Sequence, residues 1–362
     1  MIANKTHLVH PTKRRKTSSP SSPPSSSTDW SRGLHTDSWE SILNRLSAVE
    51  LLDQPPLLML PCHHDQDNKN SRCLYNLAEK KVYKQLTNIP KVLGHTRCIG
   101  SSHGWLIFLD DQKAIPYILN PFLEVWIELP IFRVTGDIYR TFEKAVLSAD
   151  PIHSDNTYWV VVIYGVASSK LAFSRCGGSE WTALNGVHQP YCDIIFHNHH
   201  IFALGETGSV EIWDFNTSLI PTKKMDIRPS FPRSKFEFEN VLVREADLLL
   251  EEDNPMHLVC PYMTKVFHVY KLDFDLKKWV ELEYLGDCML FLGGNHSISL
   301  SHNSFPNWKG NSVYFTDDNW DRMNGGHDTG RFDLEDQRTE LINEDDLQKI
   351  EPAPIWIVPN PC

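Results

Sequence analysis

The sequence has no hydrophobic run long enough to cross a bilayer, no Cys-x-x-Cys pair and no apolar signal core at its start. A spanning helix needs about 20 consecutive apolar residues. The longest run here, Tyr158 to Ala167 (YWVVVIYGVA), has the length and the β-branched composition of a strand. The eight cysteines fall at irregular intervals, which points to neither a zinc site nor a disulfide framework. A reduced compartment, nucleus or cytoplasm, is the expected setting for a soluble chain of this kind. Positive charge is also short. A formal net charge of −11 argues against a nucleic-acid surface, because phosphate binding depends on clustered Lys and Arg. Gly293-Gly294 and Gly325-Gly326 lack a following Lys-Ser/Thr, so no phosphate cradle is expected. Convincing helix signals are almost absent after Pro56. No membrane, cofactor, metal site or catalytic constellation is therefore expected.

What the chain does have is short strands. From Cys98 to Pro130 (CIGSSHGWLIFLDDQKAIPYILNPFLEVWIELP) three apolar runs are separated by turn signals, the second ended by Asn120-Pro121. The third run recurs: Trp126 to Leu129, Trp181 to Leu184 and Trp279 to Leu282 are each W-x-x-L, each after a strand and a turn. The tryptophans lie 55 and then 98 residues apart, so the second interval is close to twice a period of about 50. A period of that size marks small sheets that cannot bury their own faces and must stack on neighbours. Roughly twenty strands follow Pro56, which at about 50 residues per unit gives about six units. The expected fold is therefore all-β and propeller-like over residues 57–362, with a two-sheet sandwich as the alternative. Ile355 to Val358 (IWIV) is expected to close the ring by pairing with an early strand.

The start of the chain differs. Residues 1–28, with Lys13 to Lys16 (KRRK) and a Ser/Pro run, read as a disordered tail. The basic tetrad is a nuclear-address pattern or a solvated cluster. Across residues 29–54, Trp39, Ile42, Leu43 and Leu46 share one helical face, with Asp37 and Glu40 placed to cap it. A second helix begins at Ser47 and is stopped by Pro55-Pro56.

The capped helix and the repeats together resemble plant F-box proteins of the kelch-like, KIB type. The likeness rests on GSSHGWL (Gly100 to Leu106), LNPF (Leu119 to Phe122), KAVLS (Lys144 to Ser148) and LAFSR (Leu171 to Arg175). It extends to NSVYFTDD (Asn311 to Asp318) and, most specifically, to Lys271 to Gly293. The resemblance implies a kelch-like propeller of about six blades behind an F-box remnant. It also implies a Skp-type adaptor of a cullin ubiquitin ligase and an unidentified protein target as partners. Adaptor-facing residues carried over are Leu34, Trp39, Ile42, Leu43 and Leu46. Leu34-His35 stands where Leu-Pro is usual, and the Cys-x-x-W second half of the module is missing, so adaptor binding is expected to be weakened or lost.

Other polar groupings invite a function. His197, His199 and His200 have alternation suited to a metal, but no carboxylate or cysteine accompanies them, and a polar hairpin turn is favoured. His63-His64-Asp65 reads as a polar loop. Asp317, Asn319 and Asp321 imitate the start of a calcium loop, yet Arg322 and Asp328 replace the required Gly and Glu, leaving a surface loop. Trp126, Trp181 and Trp279 are expected to pack between sheets. Phe305, Trp308 and Trp320, outside the repeats and near Gly and Asn, are expected to face a target.

Overall fold

The computed structural model describes residues 4–9, 55–61, 72–86, 96–110, 113–132, 142–152, 154, 157–165, 169–216, 220–228, 242–249, 260–295, 297–317, 328–341 and 353–359. They form six sheets in a propeller, numbered here in chain order. Sheet I holds β2 (Leu57–Pro61), β3 (Arg72–Asn76) and β4 (Lys81–Leu86). Sheet II holds β5 (Thr96–Ser102), β6 (Trp105–Asp110), β7 (Ile115–Asn120) and β8 (Val125–Glu128). Sheet III comprises β9 (Phe142–Leu147), β10 (Trp159–Tyr164), β11 (Lys170–Arg175) and β12 (Thr182–Leu184). Sheet IV comprises β13 (Tyr191–His197), β14 (His200–Gly205), β15 (Val210–Asp214) and β16 (Thr222–Ile227). Sheet V has β17 (Leu242–Leu249), β18 (Cys260–Asp273) and β19 (Lys278–Leu282). Sheet VI has β20 (Cys288–Leu292), β21 (Ser297–Ser301), β22 (Ser312–Phe315), β23 (Gly330–Asp333) and β24 (Arg338–Leu341).

Two strands come from the ends of the chain. Asn4–Val9 forms β1, parallel to β17 at the edge of sheet V. That corrects the expectation of an unstructured tail over these six residues: an edge strand offers unpaired backbone groups, and a short segment carrying β-branched Thr6 and Val9 takes them up. At the other end, β25 (Ile355–Ile357) pairs antiparallel with β2, with Leu57 opposite Ile357 and Leu58 opposite Trp356. The expected ring closure by this segment is thus realised. Residues 29–54, where the sequence pattern predicts F-box helices, lie outside the described residues.

Each apolar cluster is shared by two neighbouring sheets. Leu57 and Leu74 of sheet I meet Leu106 and Phe108 of sheet II. Ile107 of sheet II packs with Val160 and Val162 of sheet III. Val161 and Phe173 reach Ile194 and Ala203 of sheet IV. Leu204 and Ile212 pack with Leu272 and Trp279 of sheet V. Phe267 joins Phe315 and Phe332 of sheet VI. Phe291 and Tyr314 close back on Leu58 and Trp356. The ring is continuous, and fully burying a large apolar side chain contributes about 1.5–3 kcal/mol, so the stability lies between sheets rather than within them.

Trp356 is the clasp. Its indole Nε1 donates to the Leu292 carbonyl at 2.9 Å. Buried Asn295 accepts from its backbone N–H at 3.2 Å and donates to its carbonyl at 2.7 Å. Both polar groups that a buried closing strand would otherwise leave bare are thereby satisfied. Gly293 lies beside it, where a Cβ would stand 2.6 Å from Thr316 Oγ1 and 3.1 Å from the Trp356 ring.

The W-x-x-L segments occupy β8, β12 and β19 or the residue before, always the outer strand of a sheet. In sheets II and V the hairpin before it is the same turn. Asn120 Oδ1 accepts from the N–H groups of Phe122 and Leu123, and Asp273 Oδ1 from those of Asp275 and Leu276. Four residues after each, Glu124 and Lys277 adopt φ of 56° and 49°. An Asx side chain bonded to the next turn's amides fixes the reversal.

Candidate functional site

Of the residues predicted to face a target, Trp308 and Phe305 share one packed cluster. Trp308 is only 2% exposed, which corrects the expectation of a contact residue. It packs edge-on against Phe291 at 5.1 Å and Tyr314 at 4.8 Å, inside the cluster that joins sheets VI and I. A short 3-10 turn (His302–Ser304) bends the chain inward, His302 Nδ1 lies 2.6 Å from the Trp308 carbonyl, and Tyr314 Oη accepts from Lys309 N–H at 2.9 Å. Phe305 is half-buried against the same cluster. Trp320 lies outside the described residues, as do Leu34, Trp39, Ile42, Leu43, Leu46 and His63-His64-Asp65.

Among the repeated tryptophans, Trp181 and Trp279 bridge sheets as expected. Trp181 Nε1 donates to Pro130 O at 2.9 Å and Trp279 Nε1 to Gly208 O at 2.8 Å. Trp126 does not: it is 50% exposed and leans on Tyr117 of its own sheet with ring centroids 6.0 Å apart. The histidine run is a hairpin turn, with His197 opposite His200 and positive φ at Asn198 and His199. Asp317 and Asp328 are buried rather than on a surface loop. Asp328 accepts from the N–H and the hydroxyl of Thr264, which fastens sheet VI to sheet V.

Two charged clusters were not legible in the sequence. In sheet IV, fully buried Glu211 accepts from Val187 N–H at 2.7 Å, Trp213 Nε1 at 3.0 Å and Lys223 Nζ at 3.2 Å. Asp226 lies 2.5 Å from His188 Nε2. Burial opposes ionisation of Asp226, but His188, Lys223 and Arg228 outweigh it and hold its carboxyl below the usual range. Burial first, then the Glu211 charge, pushes the neighbouring Tyr191 phenol well above its ordinary value. His188, Glu211 and Asp226 bring ligand atoms within 4.8 Å of one another, as a metal triad does. The Lys223 ammonium, however, sits 3.2 Å from Glu211 and 3.9 Å from Asp226, so a cation already occupies the position a divalent ion would need. These groups do not fit a metal; they lock β15, β16 and the 185–190 loop together.

The second cluster joins edge strands of three sheets. Lys144 of β9 reaches Asp193 of β13 at 2.5 Å and Ser297 of β21 at 3.0 Å, with both charges buried. This ties sheets III, IV and VI, and a buried pair with one partner removed costs about 3–5 kcal/mol. Gly100 of β5 is needed nearby because any Cβ would stand 2.2 Å from the Ala145 carbonyl.

An open groove of about 570 Å³ lies between sheets V and VI. Phe267 and Leu334 form a buried floor, and Leu282 flanks them. Tyr284 stands at its edge, 64% exposed. His268 Nδ1 lies 2.8 Å from Glu281 Oε1 on one wall. Such a shape, an apolar floor with an exposed aromatic ring and polar walls, suits a bound polypeptide side chain.

Residues 74–333 match the family model described as KIB1-4 beta-propeller. Named relatives from Arabidopsis thaliana align over most of the chain. F-box protein KIB2 is 23% identical over 310 residues, covering 79% of this chain and 67% of the relative. F-box protein SKIP23 is 26% identical, covering 73% and 76%. F-box protein At2g26160 is 28% identical, covering 69% and 83%.

Proposed function

The chain belongs to the KIB1-4 beta-propeller family, and on that premise we propose that it is the target-recognition component of an SCF-type ubiquitin ligase. The observation that carries this is the joint match: a propeller-family model over residues 74–333 and relatives named F-box proteins along most of the same chain. In this reading the propeller holds a protein target and does no bond chemistry. Leu34, Trp39, Ile42, Leu43 and Leu46 face a Skp-type adaptor, in the nucleus or the cytoplasm. The mechanism is positioning: tethering a target beside the transfer machinery raises the effective concentration of its lysines.

A second reading is a propeller scaffold without ligase coupling. It is favoured by the arrest of the F-box-like segment at Pro55-Pro56, before the second half of such a module. One pull-down separates the two. The full chain is offered a Skp-type adaptor beside a variant carrying Trp39→Ala, Ile42→Ala and Leu46→Ala. Capture by the unmodified chain, lost in the variant, is the expected result. No capture by the unmodified chain rejects ligase coupling and leaves the scaffold.

A further inference from the structure

The groove between sheets V and VI has a charge pattern as well as a shape. Three carboxylates border it, Glu281, Glu283 and Glu335. Glu281 is answered by His268. Glu283 and Glu335 are exposed and have no cationic partner among the described residues. Nearby, the Lys309 ammonium is already engaged by Asp333 and Asp336. Two uncompensated carboxylates thus stand over an apolar floor, beside a tyrosine whose ring is mostly in water.

We propose that this groove is the docking site for a basic segment of a partner protein. That segment would present a lysine or arginine next to an aliphatic or aromatic residue. The apolar side chain lies on Phe267 and Leu334, and the long methylene stem of the basic residue lies along Tyr284. Its charged head reaches Glu283 or Glu335. Arg and Lys commonly bury their stems on apolar surface while their heads stay solvated, and a cation over an aromatic face gains further. An acidic segment is repelled by the same carboxylates, so the groove selects by sign as well as by shape. The proposal rests on the reading of the propeller as the target-holding part. Its test measures peptide binding alone, so it can fail while adaptor capture succeeds, and the reverse.

The probe is a fluorescein-labelled peptide, Gly-Ser-Leu-Lys-Arg-Phe-Gly-Ser, compared with its Gly-Ser-Leu-Glu-Glu-Phe-Gly-Ser counterpart by anisotropy on the full chain. The expected result is saturable binding of the basic peptide only, weakened by added salt because the attraction is between partly exposed charges. Glu283→Gln with Glu335→Gln raises Kd by about fivefold or more, and Tyr284→Ala does the same. Leu276→Ala, exposed on the β18–β19 turn, leaves Kd unchanged. All these side chains are exposed, and matching melting curves verify that each variant is folded. Equal binding of the two peptides, no saturable binding of the basic one, or an unchanged Kd in the double variant overturns the proposal. So does a concentration-dependent sedimentation coefficient abolished by Tyr284→Ala, which would assign the groove to a second copy of the chain.

Discussion

Trp126 and Trp279 occupy the same place in two hairpins and live in different environments. Each stands opposite the leucine before the turn residue, Leu119 in one case and Leu272 in the other, and each follows the same Asx-bonded reversal. Trp279 is 5% exposed and bonded to Gly208 of the preceding sheet, whereas Trp126 is half in water. A repeat in sequence therefore fixes where a residue sits within a sheet. Whether that residue is buried is decided by what the neighbouring sheet sets against it. Sheet IV offers sheet V a tight Gly208 turn, and an indole closes on it.

Mutagenesis can break this comparison, and the effects are graded. Trp279→Ala removes a buried indole from the seam between sheets IV and V and should cost about 3–5 kcal/mol in urea unfolding, the range for large core truncations. Trp279→Phe keeps most of the contact but strands the Gly208 carbonyl, and about 1–3 kcal/mol is expected from the same measurement. Asn120→Ala takes the turn's acceptor from Phe122 and Leu123 and should lower stability by about 1 kcal/mol, leaving the exposed indole where it is. Trp126→Ala should stay within about 0.5 kcal/mol of the parent. A loss of several kcal/mol there would mean that Trp126 is packed after all.

The turn of sheet VI sharpens the point through pH. Asp333 bonds the amides of Glu335 and Asp336 as Asp273 does those of its own turn. Burial alone would raise its carboxyl, but Lys309 and these amides prevail and hold it below the usual value. A carboxyl depressed in the folded state adds stability above its ordinary value near about 4 and loses it as pH falls through the folded value. Asp333→Asn should therefore melt below the parent at neutral pH, and the two should converge as acid protonates the folded carboxyl. A gap that persists in acid would show that the carboxylate charge is not what the turn uses.

The periodicity was readable because tryptophan is rare and conspicuous. In sheets I and VI the structurally matching positions carry Val82 and Thr339, opposite Tyr75 and Phe332, so a search on indoles passes over them. The turns before them were readable in principle. Asn76 binds the Glu79 amide and Asp333 those of Glu335 and Asp336, with positive φ at Lys80 and Gln337. Thr339 even keeps the reach to the preceding sheet, its hydroxyl donating to Lys265 O at 3.4 Å. Trp308 misled for the opposite reason: Gly and Asn around it mark irregular backbone, and irregular backbone can still plug a core. The Glu211 cluster was invisible because Val187, Trp213 and Lys223 meet only once β15 pairs with β16. The groove was invisible too, since its walls belong to separate sheets.

The clasp of β25 on β2 has a mechanical consequence. Only three residue pairs join these strands, and one indole and one asparagine anchor them to sheet VI. Tension applied at the two ends of the ring would meet stiff resistance until that short seam tears. With the seam gone, sheets I and VI lose their shared lining together, so the wheel should rupture in one step instead of fraying sheet by sheet.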